Sequence, residues 1–342
     1  SPELTISNTF HLFVSGKVKE IKKAGGLHKA FGLKNPIMTD SGGFQIFSLG
    51  WGKVHKIGKV ASPSTSDIGL DKNPACPVSS GVKISKNGVV FVYDGKKYKL
   101  DPDISIKIQE DLGADIIFAF DECTSPLHGY DYNKKSLKKT HRWAKKCLEA
   151  KRKNGQALYG IAQGGVFEDL RKESSAAIGS LPFDGFGIGG SFGEKQMGEV
   201  IGWSLSGLPE DKPRHLLGIG AIKDIFIGVE KGIDSFDCVI PTREARHGAL
   251  YSKNGRLDIQ RGIFAKDKKA VEKGCKCQLC SGEMKRQDIY KMFKENKPKA
   301  QKMATLHNIY FYKTLFEKIR EAIDSGKSSS WEKLKKEYEE LV

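Results

Sequence analysis

The stretch FDCVIPTREARHG, Phe236–Gly248, reads as a buried strand that ends abruptly in polar chemistry. Ile233–Ile240 is short, apolar and rich in β-formers, and Pro241, Thr242, Arg243 and Arg246 follow at once. Asp237 lies inside the apolar run. An unpaired buried carboxylate costs roughly several kcal/mol, so Asp237 is either a turn-capping residue or a group kept for a reaction. Whether the same arrangement recurs along the chain decides the fold.

It recurs. Strand candidates at Leu4–His11, Pro36–Thr39, Asp115–Phe120, Ala157–Ala162, Gly185–Ile188, His215–Ile219 and Asp234–Ile240 are separated by amphipathic stretches. Helical periodicity runs through Lys17–Ala30, Asp103–Leu112, Lys134–Lys153, Glu168–Ile178, Glu194–Leu205 and Ile222–Lys231. Alternating elements of this kind predict βα units and a parallel sheet. Periodicity leaves open whether the sheet closes into a barrel. The strand ends favour closure, because each runs into a polar or Gly-rich signature: NTFH, TDSGGFQ, FDECTS, IAQGG, GIGGSFGE, GIG and DCVIPTR. Chemistry at nearly every strand end fits the mouth of a (β/α)8 TIM barrel better than the single switch point of an open sheet. Residues 51–80 read as a loose excursion rich in Gly, Ser and Pro; residues 81–100 carry NG and DG turns and read as a β-meander. A second hairpin is expected over Ala249–Gln260, around Asn254-Gly255. The expected division is a catalytic barrel over 1–265, interrupted by the insertion 51–100, and a metal-binding subdomain with C-terminal helices over 266–342.

The chain has 342 residues, 39% of them hydrophobic, which suffices for a sizeable core. Its 57 Lys and Arg against 41 Asp and Glu give a formal charge of +16 and favour a polyanionic partner. No apolar run reaches the roughly 18 residues of a membrane span, so the expectation is a soluble, cytoplasmic protein. The seven cysteines are an odd number, and three crowd into Cys275–Cys280, which argues for reduced thiols and a metal site over a disulfide framework. Cys275, Cys277 and Cys280, with His307 beyond, match a closed tetrahedral zinc site with one structural ion. It should pin the basic segment Lys285–Lys302. Cys76, Cys123, Cys147 and Cys238 read as packing or loop residues, and the other histidines as solvated or core groups.

Asp40, Asp121 and Asp237 all sit at strand ends and would face one another across a barrel mouth. Paired carboxylates about a sugar carbon permit nucleophilic and general acid/base work. Taken singly, each is more often a turn former. The Gly-rich stretches at 42–43, 164–165 and 187–193 let a flat ligand approach the backbone, with close packing as the alternative, and Phe44 offers a stacking face.

The blocks NTFHL, TDSGGFQ, FDECT, GIAQGG with VFEDLR, IGG, HLLGIG, FDCVIPTR, CKCQLC and HNIYFY run in order from Asn8 to Tyr312. As an ordered set the chain resembles the bacterial tRNA-guanine transglycosylases, which exchange the wobble guanine of GUN-anticodon tRNAs for a 7-deazaguanine on the way to queuosine. The resemblance implies a zinc-bearing (β/α)8 barrel. It assigns Asp237 as the nucleophile on the ribose and Asp40 as general acid/base. Asp121, Gln163 and Gly190 would read the purine edge, Phe44 and Leu217 would sandwich the ring, and Ser41 and Gln45 would support it. Arg243 and Arg246 would contact the anticodon of tRNAs for Asp, Asn, His and Tyr. Family members are commonly homodimers. In the family a further strand and a hairpin precede NTFHL, so the first barrel strand is expected to be missing from this sequence, and the shorter SFGE stretch suggests a roomier pocket, able to take queuine as well as the aminomethyl precursor. Rival readings are a silent partner subunit, an archaeal-type relative, a zinc-dependent nucleic-acid-binding module without chemistry, and a metabolic barrel enzyme.

Overall fold

Seven short apolar runs pair side by side in one all-parallel sheet. The computed structural model describes residues 2–48, 81–190 and 196–341. The strands are β1 (Thr5–Ser7), β2 (Ile37–Thr39), β6 (Ile116–Phe118), β7 (Ala157–Ala162), β8 (Gly185–Ile188), β9 (Arg214–Leu216) and β10 (Ser235–Phe236), paired in that order. Strands β2 and β8 are buried throughout, as parallel strands covered by helices must be. Neighbouring strands run parallel because a helix returns the chain between them: Pro102–Leu112, Tyr130–Ala150, Glu168–Gly179 and Met197–Leu205. Strands β1 and β10 end the paired order, so the sheet is an incomplete, TIM-like barrel. Met38, Phe118, Tyr159 and Ile161 form an apolar cluster, with Ile6, Ile116 and Leu217 packed against it.

The expected meander is present as β3 (Val82–Ser85), β4 (Gly88–Tyr93) and β5 (Lys96–Leu100), an antiparallel three-stranded sheet. Its Asp94-Gly95 turn takes φ of 49° and 71°, the left-handed pair that a tight hairpin demands. Phe91 stacks on Tyr98 within it and packs against Phe10.

The chain divides into two compact units. The larger comprises residues 4–217 and 227–236 and holds both sheets just described. The smaller comprises residues 1–3, 218–226 and 237–342. It carries the hairpin of β11 (Ala249–Ser252) and β12 (Gly255–Asp258) and the long helix Lys297–Asp324. Its core joins Ala245, Leu250, Ile259, Cys277, Leu279, Ile289, Phe293, Ala300 and Ala304. The basic segment 285–302 is thus packed into the same core as the metal-binding cysteines.

Several boundaries differ from expectation. Leu4–His11 is a strand only over Thr5–Ser7; Asn8 then caps a helix, Thr9–Val14, by accepting from the His11 amide. Lys17–Ala30 is two helices, Val18–Lys23 and Leu27–Phe31, split at Gly25 and Gly26, where φ is 89° and 95°. The run Asp234–Ile240 is a strand over Ser235–Phe236 alone, and Ile240–Arg246 is a helix whose first turn holds Pro241. The excursion 51–80, with His55 and Cys76, and the stretch 191–195 lie outside the described residues.

Candidate active site and metal centre

In the larger unit, Asp121 stands just beyond β6 and is 6% exposed. Its Oδ2 accepts from Gln163 Nε2 at 2.7 Å and its Oδ1 from Ser41 Oγ at 3.3 Å. Burial pushes its pKa up to about 6, against the opposing pull of these two hydrogen bonds. The strand end that carries it is fixed by Gln109, which spans the Phe118 backbone, donating to its carbonyl at 2.8 Å and accepting from its amide at 2.9 Å. Gln163 follows β7 directly and its amide N–H donates to Ser174 Oγ at 3.0 Å.

Asp40 follows β2. Its carboxylate accepts from Asn8 Nδ2 at 2.8 Å, from the Thr9 amide at 2.7 Å and from Gln45 Nε2 at 3.0 Å. Thr9 Oγ1 also donates to the Asp40 carbonyl at 2.6 Å. Three donors on one carboxylate fix its orientation. Gln45 was named from the sequence; Asn8 and Thr9 were not, although both lie in the quoted NTFHL block.

The glycines of these loops make room for protein neighbours. A Cβ on Gly43 would fall 2.9 Å from the Asp121 carbonyl, and one on Gly164 would fall 2.8 Å from the Arg171 amide. Gly190, at φ 114°, has Arg171 Nη2 2.6 Å and Gln163 Oε1 3.3 Å from where a Cβ would be. Arg171 is fully buried and binds the carbonyls of Gly165 through Nε, at 2.7 Å, and Gly189 through Nη1, at 2.8 Å. One guanidinium therefore ties the loop after β7 to the loop after β8, a role that nothing local in VFEDLR signals. Phe44 is exposed, and Leu217 packs against the apolar cluster of Met38, Phe118, Tyr159 and Ile161.

In the smaller unit, Asp237 Oδ1 accepts from the Gly218 amide at 2.8 Å. Cys238 beside it is turned inward, its Sγ 3.6 Å from the Gly220 carbonyl, and burial pushes its thiol up to about 12. Cys123 and Cys147, in the larger unit, are also pushed up to about 12 by burial. All three behave as packing groups at neutral pH. Arg243 and Arg246 occupy the last turn of the helix Ile240–Arg246.

The smaller unit also holds the metal-binding cluster. The ligand atoms of Cys275, Cys277, Cys280 and His307 all lie within 4.8 Å of one another. His307 Nδ1 is 3.9, 3.4 and 3.5 Å from the three sulfurs. A tetrahedral ion with S and N ligands at ordinary bond lengths has an S···N edge of about 3.5 Å. His307 Nε2 donates to the Tyr251 carbonyl at 2.8 Å, which leaves Nδ1 as the lone pair facing the sulfurs. The four residues fit a metal ion.

The profile of the queuine tRNA-ribosyltransferase family matches residues 1–69 and 50–340. The chain belongs to this family. A queuine tRNA-ribosyltransferase of Protochlamydia amoebophila is 44% identical over 94% of this chain and 81% of its own length. One of Halothermothrix orenii is 40% identical over 94% and 79%, and a protein of Archaeoglobus fulgidus is 41% identical over 98% and 86%. As a member of the queuine tRNA-ribosyltransferase family, the chain is an enzyme of the pentosyl-transferring class. Among the described residues, no helix is long and apolar enough to cross a membrane.

Proposed function

We propose that this enzyme replaces the wobble guanine of GUN-anticodon tRNAs, those for Asp, Asn, His and Tyr, with a 7-deazaguanine through a covalent ribosyl ester on Asp237. The observation that carries the reading is that Asp40, Asp121 and Asp237 each follow a different strand of one parallel sheet, β2, β6 and β10. In this reading an Asp237 oxygen attacks C1′ of the ribose as the C1′–N9 bond of guanine breaks. Asp40, protonated, delivers its proton to the departing base. The incoming base then loses its N9 proton to Asp40 and attacks C1′, releasing Asp237. Two displacements retain the β configuration.

Asp121 and Gln163 supply the polar edge that selects a purine carrying the guanine pattern of N–H donors and carbonyl acceptor, with the Gly190 backbone beside them. Phe44 and Leu217 supply apolar faces for the ring; Ser41 and Gln45 hold the two carboxylates. Arg243 and Arg246 suit phosphate and purine edges of the anticodon. The base leaves its stack to reach such a site. Zn2+ is the ion that a Cys3His set of this size suits best, in a structural role with no ligand position left for water. A homodimer is the expected assembly. We place catalysis in 1–265 and the metal-stabilised scaffold in 266–342.

The test is exchange of labelled guanine into tRNA bearing a GUN anticodon, wild type against Asp237→Asn. The variant should lose exchange and the denaturant-resistant protein–tRNA adduct together. Exchange that persists in Asp237→Asn would overturn the covalent mechanism. Competition between queuine and the aminomethyl precursor then fixes the preferred incoming base.

A further inference from the structure

One helix of the smaller unit, Lys297–Asp324, carries the metal ligand His307 and, next to it, two buried residues that reach the segments around Asp237. Asn308 is fully buried and its amide is saturated. Nδ2 donates to the Pro241 carbonyl at 3.0 Å and the Ala249 carbonyl at 2.9 Å, and Oδ1 accepts from the Tyr251 amide at 3.1 Å. One side chain therefore ties the helix that begins three residues after Asp237 to strand β11. One turn further along the same face, Tyr312 OH donates to the Gly220 carbonyl at 3.0 Å. Gly220 belongs to the loop whose Gly218 amide donates to Asp237 Oδ1.

The loop has little freedom to sit elsewhere. A Cβ on Gly220 would fall 2.3 Å from Cys238 Sγ and 2.8 Å from Cys238 Cβ, so the Gly220 backbone lies directly against the side chain of the residue that follows Asp237. The position of the Asp237 carboxylate is thereby set from two sides: by its own chain, which Asn308 holds at Pro241, and by the Gly218 amide, whose loop Tyr312 holds at Gly220.

We propose that Asn308 and Tyr312 are positioning residues for Asp237. The helix that completes the metal centre also fixes the nucleophile, and the two functions share one rigid element. The inference rests on the reading of Asp237 as the nucleophile. A nucleophile must meet C1′ in line, and a displacement on the order of 1 Å is enough to slow such a step by about a hundredfold. Removing one hydrogen bond from the loop should produce a fraction of that effect.

The test uses the metal-loaded full chain and compares Tyr312→Phe with wild type in a single turnover. Formation of the denaturant-resistant protein–tRNA adduct should slow by roughly tenfold, while the guanine KM and tRNA affinity stay within about twofold. Metal content should be unchanged. Gly220→Ala, which displaces the same loop without touching the helix, should reproduce the slowing. A wild-type adduct rate in both variants overturns the proposal, and so does a lowered melting temperature with an unchanged rate, which would mark the bonds as structural only. Asp237→Asn run alongside separates the two claims. If it still forms adduct, the nucleophile reading falls; if it does not, and Tyr312→Phe and Gly220→Ala react at full rate, the positioning role alone falls.

Discussion

Gln163 Nε2 donates to Asp121 Oδ2 at 2.7 Å, while Gln163 Oε1 is buried without a hydrogen-bond partner among the described residues. The carboxylate carries its charge in a desolvated place, and burial raises its pKa from 3.8 to about 6. Below pH 3.8 it is protonated in both folded and unfolded chains; between 3.8 and about 6 only the folded chain holds the proton. Its contribution to stability is therefore fully present below 3.8 and is lost as pH rises through about 6. Asp121→Asn removes the charge and offers Gln163 Oε1 a donor. At pH 7.5 this variant should be more resistant to urea than wild type, by about 1–3 kcal/mol, and should nevertheless exchange guanine poorly. A variant less stable than wild type would show that the carboxylate is not desolvated as described.

The same titration should appear in binding. A purine presenting N–H groups needs an ionised Asp121 as acceptor, and the protonated acid offers a donor in its place. The guanine KM should rise as pH falls through about 6, while in Asp121→Asn it should be high and flat across that range. Initial-rate kinetics from pH 5 to 8 at saturating tRNA would decide it. A wild-type KM independent of pH in this window would remove Asp121 from base recognition.

Asn8 serves two masters: its Oδ1 caps the helix Thr9–Val14 through the His11 amide at 2.9 Å, and its Nδ2 donates to Asp40. Asn8→Asp keeps a capping oxygen and replaces the donor with a second carboxylate. The cap survives, since Asp caps about as well as Asn, so any fall in melting temperature at neutral pH should come from repulsion between the two carboxylates and should vanish on acidification. A second carboxylate beside Asp40 favours its protonated form, so the alkaline limb of the kcat profile, set by loss of the proton that Asp40 delivers to the departing base, should move to higher pH. An unshifted profile would mean that Asn8 acts on the helix alone.

These cases show what the sequence could and could not convey. Strands β7 and β8 match their expected limits because each is a buried apolar run that stops at a polar or glycine residue, Gln163 after β7 and Gly189 after β8. The helix Ile240–Arg246 was missed because Pro241 reads as a terminator, whereas at a first helical turn its lacking N–H removes nothing. Asp40, Asp121 and Gln163 were visible as polar residues placed where an apolar run stops. Asn8, Arg171, Asn308 and Tyr312 act on carbonyls or carboxylates remote in sequence, as Tyr312 does on Gly220 and Asn308 on Pro241, and no local periodicity encodes such pairings. The Cys3His set was legible because metal ligation requires particular residue types, and the fold needs only to gather them.

Loss of the metal should be felt beyond its ligands. Cys277 and Leu279 lie in one core with Ile289, Phe293 and Ala304, and His307 and Asn308 hold the two backbone groups of Tyr251. His307→Ala removes a ligand and leaves the Tyr251 carbonyl without that donor. It should lower stability by about 3 kcal/mol or more, on the order of 6–12 °C in melting temperature. Calorimetry with elemental analysis checks both parts: the variant should hold less metal, and wild type treated with a chelator under mild denaturant should melt below untreated protein but above the variant, since it keeps the bond to Tyr251. A chelator-treated protein that melts like the untreated one would exclude a structural ion.

Gly189 tests how Gln163 is aimed. It lies in ordinary backbone conformation, so an alanine there is not strained, but its Cβ would fall 2.4 Å from Gln163 Nε2 and 2.8 Å from Ile161 Cγ2. The end of a flexible amide yields before a packed strand does, so Gly189→Ala should swing Gln163 off Asp121 and leave the fold intact. The expected result is a guanine KM raised by about tenfold, corresponding to one lost hydrogen bond near a charge, with little change in melting temperature. Gln163→Ala should give a similar rise, because both changes break the same contact. The double variant should then be no worse than either single one, since a contact can be lost only once. Additive losses would mean that Gly189 bears on the base by a route independent of Gln163.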